Sequence, residues 1–184
     1  MEPLETPVRR LSSRQIYNGR LVKLWEEQVV LRHGTEATYE RVEIKSGSSV
    51  LAVDSDLAVT LVREWKYALG RETLEVVSGG MEPDEDPAET ARRELREEAG
   101  LEAETLIPMG WVDPFTTMLS CRNYLFLARG LREVPHAHEE GESIRVERMP
   151  LAEAVRKVEC GEITHGSSSV LILRAWAALG PPAA

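Results

Sequence analysis

Glu94, Glu97 and Glu98 place three carboxylates at i, i+3 and i+4, shortly after the paired glycines Gly79 and Gly80. At about 100° per residue these positions share one arc of a helix. Like charges at i,i+4 destabilise an isolated helix by roughly 0.2–0.5 kcal/mol. The arc therefore reads as a seat for a cation. Carboxylate oxygens are hard donors that suit Mg²⁺, with Mn²⁺ as the alternative. Such ions neutralise a diphosphate and make water easier to deprotonate, which is hydrolysis without a covalent nucleophile. Taken alone, an acidic run is more often a solvated face, so the surrounding residues have to decide.

The element that must hold these groups can be read locally. Asp86-Pro87 is a helix start, Asp as N-cap and Pro at the first helical position. Gly100 is a stop. Between them Ala88, Ala91, Leu95 and Ala99 recur at helical spacing and form a narrow apolar stripe, small enough to approach a sheet closely. Glu94, Glu97 and Glu98 are expected on one flank of that stripe. Arg92, Arg93 and Arg96 are expected on the other flank and the back.

The run from Gly79 to Leu101 has Gly79, Glu85, Arg93, Glu94, Leu95, Glu97, Glu98, Gly100 and Leu101 at fixed intervals. These positions resemble the Nudix hydrolase signature without departure. From average residue usage an accidental match at one starting point is on the order of one in a few billion. The flank VREWKYALGRETLEVVSGG resembles the ADP-ribose and nucleotide-sugar pyrophosphatase branch, with Arg63 and Glu75 at matching places. The likeness runs from about Ile16 to about Ala178.

The resemblance implies an α/β fold, the Nudix alpha/beta/alpha sandwich with a mixed sheet and a small N-terminal β subdomain. It implies that Glu94, Glu97, Glu98 and the Ser78 main-chain carbonyl hold the metal, with Glu94 and Glu98 counted as catalytic. Glu85 and Arg93 are structural members of the box. Arg63, Glu75, Gly79 and Gly80 are the implied substrate contacts. A glutamate from the acidic loop, Glu140 or Glu142, is the implied general base. The expected reaction is hydrolysis of a nucleoside diphosphate sugar to a nucleoside monophosphate and a sugar phosphate. Other diphosphates (GDP-mannose, a dinucleoside polyphosphate, a nucleoside triphosphate) and a non-catalytic sensing module are the rivals. A homodimer that exchanges its N-terminal strands is implied by analogy. Glu64 in place of the branch's usual Gln, and Pro114-Phe115 followed by Ser120-Cys121-Arg122, depart from the pattern and leave base and sugar open.

Composition narrows the remaining classes. A chain of 184 residues is long enough for one domain with a real core. The formal net charge of −9 argues against a non-specific nucleic-acid binder. No apolar stretch approaches a membrane span, and residues 1–14 lack the hydrophobic core of a signal peptide. Cys121 and Cys160 lack metal-ligand spacing and read as free thiols of a cytoplasmic protein. His136 and His138 lack the neighbours a zinc site needs.

The expected organisation is a loose end at 1–14, the N-terminal β subdomain at 15–47, the hydrolase domain at 48–180 with its box at 79–101, and a loose tail at 181–184. Strands are expected at 21–31, 37–44, 49–53, 57–65, 73–77, 104–112, 123–128 and 143–147. Helices are expected at 151–159 and at 167–179, the latter capped by its serines. Trp25, Trp65, Trp111 and Tyr39 read as core aromatics rather than base-stacking residues.

Overall fold

The computed structural model describes residues 7–135 and 144–180. They fall into two compact units, one of residues 7–45 and 113–121, the other of residues 46–112, 122–135 and 144–180. Among the described residues no helix is long and apolar enough to cross a membrane.

The first unit is a sheet of β1 (Val8–Asn18), β2 (Val22–Leu31), β3 (Glu36–Ile44) and the short β9 (Leu119–Ser120), in the order β1-β2-β3-β9. The loose end expected at 1–14 is corrected here, because Val8–Arg14 belongs to β1. Charge pairing explains it. Arg10 Nη1 and Ser13 Oγ donate to Glu27 Oε1, and Arg14 Nη2 donates to Glu26. β9 joins by two residues in parallel with β3, too short to carry a pattern of its own.

The second unit holds β4 (Gly47–Val53), β5 (Ala58–Lys66), β6 (Arg71–Glu75), β7 (Val77–Gly80), β8 (Leu101–Val112), β10 (Asn123–Glu133) and β11 (Arg145–Pro150). Its order is β11-β5-β4-β10-β8, with β6 on β5 and β7 on β4. The β4–β10 pair is parallel and its neighbours are antiparallel, so the sheet is mixed. β4 is buried along its whole length, as a strand covered on both faces must be. Its Val50 and Ala52 meet Ala91, Leu95 and Ala99 of α1 (Pro87–Ala99). Its Leu51 and Val53 meet a second core with α2 (Leu151–Glu159) and α3 (Gly166–Leu179). The alternation of one strand thus builds the α/β/α sandwich.

Two local expectations change. The single strand expected at 73–77 is two strands with a bend at Val76, which lets the chain pass from β5 to β4. The serines of α3 do not cap it. Ser168 Oγ instead accepts the Val76 N–H at 3.0 Å, across 92 residues, and so pins that bend.

Candidate active site

The site starts from α1 and the bend. Asp86 accepts from Ala88 N at 2.8 Å, Pro87 opens the first turn, and Gly100 closes the helix in the left-handed region at φ 62°. These local signals set the phase of the helix, and the Ala stripe brings it onto β7. Gly79 is the point of closest approach. A Cβ there would occupy the space of the Glu94 carboxylate, so only glycine lets that head rest on the strand. Gly47, opposite Gly80 in register, is required for a similar reason, since a Cβ there would meet the Gly79 carbonyl.

Arg93 is the hub of the acidic flank. Its Nη1 donates to Glu94 Oε1 at 2.7 Å and Glu97 Oε2 at 3.0 Å. Its Nε and Nη2 fork onto Glu85 at 3.0 and 3.1 Å, and Nη2 also reaches the Gly80 carbonyl at 3.1 Å. The expectation that Arg93 sits across the helix from the carboxylates is corrected. It lies at i−4 from Glu97, a spacing that makes side chains neighbours. Glu85 also accepts Glu82 N at 2.9 Å and Thr90 Oγ1 at 2.8 Å. Arg93 first, and then the Glu82 amide, hold its carboxyl down at about 2.

Glu98 is treated oppositely. Loss of hydration, followed by the neighbouring Glu94 charge, pushes its pKa up to about 8. Ser78 N, donating at 3.3 Å, and the Lys66 ammonium offset only part of this. Ser78 is opposite Ser49 of β4. In an extended strand a residue's N–H and C=O leave on the same side. The Ser78 carbonyl therefore opens on the side where its N–H meets Glu98. Ser78 Oγ is held by Ser49 Oγ at 2.8 Å, and Ser49 also donates to Asn123 at 3.1 Å.

The NUDIX domain model matches residues 45–168. This chain belongs to the Nudix family. It is 34% identical over 158 residues to an ADP-ribose pyrophosphatase of Mycobacterium tuberculosis, covering 84% of this chain and 76% of that protein. It is 28% identical over 171 residues to an ADP-ribose pyrophosphatase of Bacillus subtilis, covering 88% and 89%. The crystal structure of an ADP compounds hydrolase superposes with a TM-score of 0.81 at 22% identity, over 94% of this chain and 95% of that one, a likeness of fold.

Nudix hydrolases use a divalent metal, and the donor set here fits one. Carboxylates and a main-chain carbonyl are hard oxygens, and Glu98 is dehydrated beside Glu94 so that its ionised form is disfavoured, a balance that a bound cation would reverse. Among the described residues no three acidic, His or Cys side chains are already gathered to ligate an ion. Arg93 takes one oxygen each of Glu94 and Glu97, and Ser78 N takes one of Glu98, so each carboxylate keeps a second oxygen. The three glutamates are not splayed into solvent, with side-chain exposure of 13% for Glu94 and 33% for Glu97.

The structure does not bring Arg63 to this group. Its guanidinium forks onto Glu147 and lies 3.7 Å from Glu162. Glu75 pairs with Thr73 and His165 instead. Glu140 and Glu142, with His136 and His138, lie outside the described residues. Sequence reasoning missed Lys66, the hydrogen-bond partner of Glu64. Burial disfavours its ammonium, yet the bond to Glu64 and the charges of Glu75, Glu64 and Glu98 keep its pKa above the ordinary value. The signal was present, since Lys66 stands where the branch's Arg-Gln-aromatic-Arg pattern ends. Trp65 and Trp111 are exposed rather than core, and Arg122 lies 4.8 Å over the Trp111 ring.

Proposed function

We propose that this Nudix protein hydrolyses the diphosphate bond of an ADP-ribose-like nucleoside diphosphate sugar, releasing a nucleoside monophosphate and a sugar phosphate. The observation that carries the reading is Glu98, partly buried beside Glu94 with its proton affinity raised, at the end of an intact box. Likeness to two ADP-ribose pyrophosphatases supports the substrate class. Glu94, Glu97, Glu98 and the Ser78 carbonyl would hold Mg²⁺, with Mn²⁺ as the alternative. When bound there, the ion supplies charge withdrawal from the phosphates and easier deprotonation of water. Arg93 and Glu85 orient the carboxylates. Gly79 and Gly80 keep the strand low enough for substrate to approach, and Glu75 acts on the substrate side. Arg63 is read as an anchor between β5 and β11 rather than a phosphate contact, because its fork is already filled. The resemblance assigns the proton acceptor to Glu140 or Glu142.

We further infer a cytoplasmic homodimer. Exposed Leu11, Ile16, Tyr17 and Leu21 on and beside β1 support an interface there. Sedimentation as a monomer at micromolar concentration would reject it.

The test of activity is product identification from a panel of diphosphates in ¹⁸O-labelled water with Mg²⁺. Label in AMP or ribose phosphate from ADP-ribose is the expected result. Binding without turnover across the panel would make the protein a sensing module instead.

A further inference from the structure

Beside the carboxylate arc, a second polar cluster stands where the first turn of α3 meets the bend between β6 and β7. Thr73 Oγ1 donates to Glu75 Oε1 at 2.7 Å. The other oxygen, Glu75 Oε2, lies 3.1 Å from His165 Nδ1. The same Nδ1 lies 2.9 Å from Ser168 Oγ, which accepts the Val76 N–H. A carboxylate only accepts when ionised, and Glu75 at this distance favours the tautomer with the proton on Nδ1. That assignment leaves Nε2 as an acceptor. Nε2 has no hydrogen-bond partner among the described residues, and it is not one of their buried unpaired polar atoms. About 32% of the side chain's surface is open. The fold uses one edge of this ring and leaves the other free.

The position of that free edge gives it a use. Glu75 is three residues before Ser78, at most about 10 Å along an extended chain. Ser168, bonded to the ring, takes the Val76 amide, and Glu98 takes the Ser78 amide two residues on, so the imidazole and a box carboxylate flank one short stretch of chain. Groups facing the ring are Glu75 and Thr73 from β6, Lys66 from the end of β5, and Ser168 from α3. Burial holds the His165 pKa below its ordinary value; Glu75 opposes this and Lys66 adds to it. A neutral imidazole does not repel a nearby diphosphate as another carboxylate would. It accepts from a hydroxyl instead.

We propose that His165 is a substrate-binding residue whose Nε2 accepts a hydrogen bond from a hydroxyl of the sugar attached to the diphosphate, with Glu75 setting its tautomer. The inference rests on the nucleotide-sugar reading above. Its test compares wild type with His165→Asn, which keeps a polar group where Nδ1 sits and removes the Nε2 position. KM and kcat are measured for ADP-ribose, and the inhibition constant for ADP, which lacks the terminal ribose. The variant raises KM for ADP-ribose about tenfold, the worth of one hydrogen bond. It changes kcat less and leaves ADP inhibition unchanged. His165→Gln, whose amide reaches toward the Nε2 position, recovers part of the loss. An equal loss for both ligands, or none for either, overturns the proposal. If wild type fails to turn over ADP-ribose, the reaction assigned above fails first. Calorimetric titration of both proteins with ADP-ribose and ADP then decides on His165, by the same selective loss or its absence. If the Asn variant does not fold, imidazole ¹⁵N shifts of wild type serve instead. A histidine Nε2 that moves with ADP-ribose and not with ADP supports the proposal, and no such movement overturns it.

Discussion

Two carboxylates of the Nudix box sit at opposite ends of α1 and hold protons with opposite strength. Glu85, before the helix, is gripped by Arg93, Thr90 and the Glu82 amide, and its pKa falls to about 2. Glu98, in the last turn, has one backbone donor and a neighbouring carboxylate, and its pKa rises to about 8. Glu85 has its cations and donors supplied by the protein. Glu98 has only the Ser78 amide and the charge of Lys66, which do not offset its lost hydration, and the negative end of the helix dipole adds nothing in its favour. One end of the helix is finished as structure. At the other end ionisation is disfavoured, as expected of a carboxyl proposed to bind a metal.

The contrast can be broken at its strongest point first. Glu98→Gln removes a carboxyl that a bound metal would ionise, and kcat should fall about 10³-fold with the fold intact. Near-normal turnover would refute its role. Gly79→Ala should come next. The added methyl displaces the end of a flexible glutamate rather than backbone, so melting temperature moves little while turnover drops about 100-fold. Loss of folding in place of loss of activity would show that the glycine serves the strand and not Glu94. Arg93→Ala should destabilise the protein by about 2 kcal/mol, by leaving Glu85 and Glu94 partly buried without their partner. Denaturant titration checks that figure.

Proton linkage sharpens the same comparison. Between pH 4.5 and about 8 the folded protein holds a proton on Glu98 that the unfolded chain has released. The metal-free protein should therefore lose stability as pH rises through that window, and Glu98→Gln should flatten the loss. Because ligation expels that proton, metal affinity should climb by up to tenfold per pH unit until about pH 8 and then level. For Glu85 the sign reverses. Its contribution is present above its ordinary range near 4.5 and disappears as pH falls toward 2. The smallest effect belongs to Arg63→Ala, for which KM should stay within about twofold and stability fall by about 1 kcal/mol.

The sequence carried α1 almost whole, since Asp86, Pro87, the Ala stripe and Gly100 are local signals that act within the helix itself. The grouping of Glu94 and Glu98 followed from helical geometry, and the family match extends the reading to the sandwich. What was not legible depends on partners distant along the chain. The bend at Val76 needs Ser168, and the free edge of His165 needs Glu75 to hold its opposite nitrogen. Arg63 looked available until Glu147 and Glu162 filled its fork. Arg93 was misjudged for a simpler reason, an i,i+4 neighbour assigned to the wrong flank. Trp65 and Trp111 looked like core because strand aromatics usually are, and propensity does not report which face of a strand stays uncovered.

Strand β7 is only four residues long, and on the side away from β4 its Ser78 amide faces a glutamate instead of another strand. Open sheet margins invite a foreign chain to pair with them. Here the margin is guarded by acidic side chains and is too brief to template such pairing. The bare main chain proposed to face a metal is thus also poorly suited to pairing with another strand.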